Sequence, residues 1–240
     1  MNQRQLAAIL LTTVLAACGT PLENAASTFK EQVRLGDPDA QQTFSDNREL
    51  FESAEALPIW LDALENADSP QVQRWAATLV GNIGDPSALP ALADAMSGNR
   101  ALRDAAIDAI GRFDATEAAG AYVDALENGS REAQAPALAA LARMGPDAAS
   151  AVPAIATAVA ATEALIANSA VNTLADIGTD GAAESLADLA TNTALDMNRR
   201  RSAIQALQRI DSELATAKLA EISTVLADEE GADELRATLS

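Results

Sequence analysis

The sequence predicts an all-α repeat protein, and three observations carry the prediction. First, one octet recurs. LPIWLDAL begins at residue 57, LPALADAM at 89, AGAYVDAL at 119, VPAIATAV at 152, AESLADLA at 183 and a weaker TAKLAEIS at 216. The steps are 32, 30, 33, 31 and 33 residues. Apolar or small residues hold octet positions one, four, five, seven and eight, which is one face of a helix. Second, another block follows each octet: WAATLVGNI at 75–83, AAIDAIGRF at 105–113, PALAALARM at 136–144, SAVNTLADI at 169–177 and SAIQALQRI at 202–210. Third, 49% of the residues are apolar but only 3% are aromatic, alanine dominates, and no long β-branched run alternates at period two. Alanine is the best helix former and lets helices approach closely.

The elements follow in chain order. The start, MNQRQLAAILLTTVLAACGT, places Arg4 before an apolar run over residues 6–17. That run is too short to span a bilayer and has the layout of a signal peptide. Residues 18–45 hold less apolar character. They are expected to form a spacer, with one short amphipathic helix over 23–35 stopped at Gly36-Asp37-Pro38. A helix near 47–56 is expected to cap the first repeat. Residues 46–240 are read as the repeat domain. Pro suits octet position two because a first helical turn tolerates it. In the second block, position two is Ala in all five copies: Ala76, Ala106, Ala137, Ala170 and Ala203. Position six is Val80, Ile110, Leu141, Leu174 and Leu207, and position nine is Ile83, Phe113, Met144, Ile177 and Ile210. These spacings mark one buried stripe, with the Ala column where a neighbouring helix should come closest. Gly and Asp then close one helix and cap the next. No single helix pair can bury both stripes, so neighbours must stack. Pro136 should start or kink its helix. Arg199 stands where the other copies have Val72, Leu102, Ala133 and Ile166, which marks the fifth repeat as atypical. The polar tail should close with a short helix.

The period of 30–33 residues, with a second helix of form x-A-φ-x-x-φ-x-x-φ before an L-P-x-φ helix, resembles the HEAT-like repeat family in the short bacterial form seen in phycobilin lyases. The resemblance covers about residues 57–226. It implies an all-α, right-handed α-solenoid of five to six HEAT-like helix pairs. Separately, Leu15-Ala16-Ala17-Cys18 resembles the lipobox of bacterial lipoproteins. That resemblance implies a signal peptide over 1–17, cleavage before Cys18, and acylation of Cys18 as a membrane anchor. Several acyl chains on one residue give stable anchoring. Gly19, in place of the Asp that favours inner-membrane retention, points to the outer membrane facing the periplasm in a Gram-negative cell.

Composition narrows the chemistry. A formal charge of −19 speaks against nucleic acid and against electrostatic docking on anionic lipid. The chain has no His and a single Cys, so an imidazole base, an intrachain disulfide and a thiolate zinc site are all unavailable. No GxSxG, SxxK or Gly-rich phosphate loop occurs. The resemblance includes deoxyhypusine hydroxylases, whose His-Glu iron motifs a His-free chain cannot supply. No cofactor and no catalysis are therefore expected. Asp85, Asp114, Asp147, Asp180 and Asp211 recur one per repeat, too far apart for one cation, and are read as caps and turns.

The scarce cations are the candidate site. Position eight of the second block reads Asn82, Arg112, Arg143, Asp176 and Arg209. The family resemblance places this column on the concave side, with Arg74 and the run Arg199-Arg200-Arg201 as additions. Trp75 heads the second block where other copies show Ala, Pro or Ser, and is expected to be an exposed anchor; Trp60 falls in an apolar column. Together these support a membrane-anchored scaffold that holds an acidic segment of a protein or peptide partner in the cell envelope. A factor handling a small molecule or client protein, and a passive spacer, are the alternative readings.

Overall fold

The computed structural model describes residues 19–161 and 163–239; the signal-peptide and Cys18 expectations lie outside them. All regular secondary structure among the described residues is helical, and the chain divides after Phe113 into two compact units.

In the first unit, α1 (Pro21–Leu35) starts with a full capping box. The Thr20 hydroxyl accepts from the Glu23 amide at 3.2 Å, and the Thr20 amide donates to the Glu23 carboxylate at 2.7 Å. Gly36 stops the helix, as expected. Two short helices follow, α2 (Ala40–Asp46) and α3 (Arg48–Phe51). The sequence suggested a spacer over residues 18–45 and a capping helix near 47–56; α1, in the spacer region, buries Ala26, Phe29 and Val33, and α3, in the capping region, buries Phe51. Phe29 has an aromatic ring on several sides: Phe51 and Trp75 at 5.3 Å between centroids, Phe44 and Trp60 at 6.1 Å. Burial of these rings is what fixes the helices to the body.

The two repeats of this unit are α4 (Leu57–Asn66) with α5 (Pro70–Ile83), and α6 (Leu89–Ala95) with α7 (Arg100–Ile110). First helices pack beside first helices and second beside second, the layering of an α-solenoid. Ala76 and Ala106 are fully buried, as the stripe predicts. Gly84 ends α5 in the left-handed region, φ +71°, which favours Gly. Asp85 then accepts from the Ser87 amide at 2.9 Å and caps the turn into α6.

A close approach between α5 and α7 lies at Gly81, a position that the Ala column does not mark. A Cβ there would lie 2.7 Å from the Ala109 Cβ and 2.8 Å from its Cα. Helix propensity alone favours Ala over Gly by about 1 kcal/mol. Overpacking against backbone costs roughly 1–3 kcal/mol. With the two opposed, Gly81→Ala is expected to lower the unfolding free energy by about 1 kcal/mol in denaturant titration, the middle of a net range of roughly 0–2 kcal/mol; a variant more stable than wild type would contradict this packing.

The second unit holds α8 (Ala115–Glu127) with α9 (Arg131–Met144), α10 (Val152–Ala161) with α11 (Ala164–Ile177), and α12 (Asp180–Thr191) with α13 (Met197–Leu207). A sixth, shorter pair closes it: α14 (Glu213–Ala227) and α15 (Asp233–Leu239). First and second helices again form separate layers. Ala137, Ala170 and Ala203 are fully buried. The buried Thr173 hydroxyl donates both within its own helix, to the Ser169 carbonyl at 2.9 Å, and to the Leu138 carbonyl of α9 at 3.3 Å. Asp114 caps α8 by accepting from the Thr116 and Glu117 amides, which holds its carboxyl below the usual carboxylate range. Thr179 and Ser212 cap α12 and α14 where Asp180 and Asp211 were expected to serve. The helix expected to start or kink at Pro136 begins at Arg131, with Pro136 inside it.

Candidate functional site

The first unit gathers three of the predicted residues on one groove of about 440 Å³, between the second helices α5 and α7. The wall from α5 carries Arg74, Trp75 and Thr78; that from α7 carries Ala101, Asp104, Ala105 and Asp108, with Arg112 at its end. The spacings are helical: 74, 75 and 78 share a face, as do 101, 104, 105 and 108. The small Ala101 and Ala105 leave the space open. Ser69 and Asn99, the N-caps of α5 and α7, set where each helix begins and so which face each residue takes.

Arg112 follows the end of α7, and its guanidinium folds back over α5: a Cβ on Gly81 would lie 3.0 Å from Nη1. Neither Arg74 nor Arg112 has a carboxylate within ion-pair distance among the described residues. Asp104 has only the exposed Arg100 at 3.8 Å, and Asp108 has no ion-pair partner among them. The groove thus presents both signs of charge, largely unneutralised, beside an indole.

Trp75 is not the freely exposed anchor expected from its column. It is half-buried, with Phe29 at 5.3 Å and Phe44 at 5.1 Å between ring centroids, so one side seals the N-terminal aromatic cluster while it also lines the groove. Trp60 is in the core, and its indole N–H donates to the Phe51 carbonyl at 2.9 Å.

The remaining predicted cations lie in the second unit. Arg143 is exposed near the end of α9 and, among the described residues, makes no ion pair. Arg209 lines a separate groove of about 290 Å³ with Asn168, Asn172, Ser202 and Gln205. It is engaged, donating to the Asp176 carboxylate at 2.5 Å and to the Asn172 side-chain oxygen at 2.9 Å. The arginine run does not join the column. Arg199 pairs with Asp196 at 3.4 Å and donates to the Ala160 carbonyl; Arg200 is buried against Glu229; Arg201 pairs with Glu234. Consecutive residues on a helix point in different directions, so a run of three cannot serve one face.

These helix pairs define an all-α protein of HEAT-like repeats. The HEAT-repeat family profile matches residues 57–123. No curated protein sequence matches the chain. Among solved structures, human deoxyhypusine hydroxylase in complex with glycerol is 19% identical, with 98% of this chain and 86% of that chain covered and a TM-score of 0.39. The CpcE–CpcF complex of phycocyanin lyase from Nostoc sp. PCC7120 is 18% identical, with coverage of 93% and 86% and a TM-score of 0.39. An engineered protein is 21% identical, with coverage of 100% and 94% and a TM-score of 0.37. Likeness at this level says nothing of activity.

Proposed function

We propose that the protein is a membrane-anchored, non-catalytic HEAT-like scaffold of the bacterial cell envelope, and that the α5–α7 groove holds a segment of a protein or peptide partner. The observation that supports this best is the groove itself: among the described residues Arg74 and Arg112 have no carboxylate within ion-pair distance, in a chain with more than twice as many acids as bases. A guanidinium in a groove gains most from a bidentate carboxylate, and a half-buried Trp supplies rigid contact area beside it. Asp104 and Asp108 make the same groove repel a uniformly anionic ligand, so a polypeptide carrying both charges fits better than a polyanion. Anchoring rests on the sequence reading of Cys18. Among the described residues no helix is long and apolar enough to cross a membrane.

The test is affinity capture from detergent-solubilised envelopes, comparing wild type with Arg74→Glu/Arg112→Glu. A partner held by wild type and weakened tenfold or more by the variant, about 1.4 kcal/mol or more, is the expected result. Equal recovery by a variant with an unchanged circular dichroism spectrum and melting curve would move the interface elsewhere.

A further inference from the structure

We propose that acylation of Cys18 holds the first unit close against the membrane surface, with the wall of its groove within about 30 Å of the anchor; this rests on the membrane-anchored reading above. The structure removes the slack that a spacer would have given. Only Gly19 separates Cys18 from Thr20, and Thr20 is already the N-cap of α1. The capping box closes on Thr20, Pro21 opens the helix, and the Asn24 side-chain amide donates to the Gly19 carbonyl at 3.1 Å. The N-cap of α1 therefore lies two residues past the anchor.

The helix that begins there is not peripheral. Its Phe29, 1% exposed, is ringed by Phe44, Phe51, Trp60 and Trp75, and Trp75 is itself a wall of the groove. The distance follows from chain geometry. Two residues of backbone reach about 7 Å at most. Nine residues of α1, from Thr20 to Phe29, rise about 14 Å. Phe29 and Trp75 are 5.3 Å apart between ring centroids. With the side chains included, the indole lies within about 30 Å of the Cys18 backbone, so the groove cannot reach far into the periplasmic space.

The chain supplies its own probe. Its two tryptophans, Trp60 and Trp75, both lie within 6.1 Å of Phe29 between ring centroids, so intrinsic emission reports this one location. The experiment reconstitutes the mature lipidated protein in phosphatidylcholine vesicles containing a dansyl-headgroup lipid and measures energy transfer from tryptophan. It is repeated with a 40-residue Gly/Ser insertion after Gly19, which adds about 35 Å of root-mean-square reach. Strong transfer in the wild type, reduced at least fivefold by the insertion, is expected. Vesicle-bound wild type that shows no transfer, or transfer that the insertion leaves unchanged, overturns the surface placement. Protein that lacks acyl mass and does not sediment with vesicles overturns the anchor, a separate failure that the mass spectrum identifies.

Discussion

Replacing Phe29 with Ala lowers the unfolding free energy by roughly 3–5 kcal/mol, among the largest effects expected of a single substitution in the first unit. The ring is 1% exposed. Its removal opens a cavity bounded by Phe44, Phe51, Trp60 and Trp75, and those side chains are held from three directions, by α2, by α3 and by the first repeat. Such a site cannot collapse to fill the void, which puts the loss in the range of a cavity in a rigid core. The edge-to-face pairs with both tryptophans, at interplanar angles of 89° and 85°, are lost as well. Guanidinium titration followed by tryptophan emission reads the effect at its source. A loss under about 1 kcal/mol would mean that α1 is an attachment and not part of the fold.

The second large effect is at the other end of the chain. Arg200 is 2% exposed on α13. Its guanidinium donates to both oxygens of Glu229 at 2.6 Å and to the Ala190 carbonyl at 2.8 Å. One side chain thus joins the last full repeat to the segment after α14. Glu229→Ala leaves the buried cation with a single carbonyl acceptor. Breaking a buried pair in this way costs about 3 kcal/mol, the lower end of the range because Glu229 keeps some contact with solvent. Acid dependence separates this from lost packing. The hydrogen bonds from Arg200 hold the Glu229 carboxyl below its usual 4.5. A depressed carboxyl stabilises the fold above its unfolded pKa, and that contribution is lost as pH falls through the folded value. The difference in stability between wild type and Glu229→Ala should therefore be full at neutral pH and shrink below about pH 4.5. A gap constant from pH 7 to pH 3 would show that the pair contributes through packing alone.

What the sequence revealed and what it hid follow from repetition. The helix pairs, the fully buried column from Ala76 to Ala203 and the turn at Gly84 were legible because five copies of one pattern place each against its equivalents. Features that occur once had no such comparison. Comparison of equivalents made Trp75 look exposed, because its counterparts are Ala, Pro and Ser. Its aromatic partners lie outside the repeats. The available signal was the cluster of Phe29, Phe44 and Phe51, three of the four phenylalanines of the chain, the first two in the stretch read as a spacer and the third in the helix expected to cap the first repeat. Gly81 was hidden differently: the block pattern gives a column but not the depth of each approach. The arginine column was legible as a set of positions. Which members remain unpaired depends on the preceding repeat, where Arg209 meets Asp176 and Asn172 while Arg112 meets Gly81.

The central claim is that the α5–α7 groove receives a polypeptide partner, and site-specific photocrosslinking in intact cells tests it most directly. A benzophenone amino acid replaces Thr78, which lines the groove midway between Trp75 and Gly81, and in a control replaces the exposed Glu65 of α4. The account predicts one discrete crosslinked protein from position 78, absent from position 65 and abolished by Arg74→Glu/Arg112→Glu. No crosslink from position 78, or the same product from both positions, would contradict it.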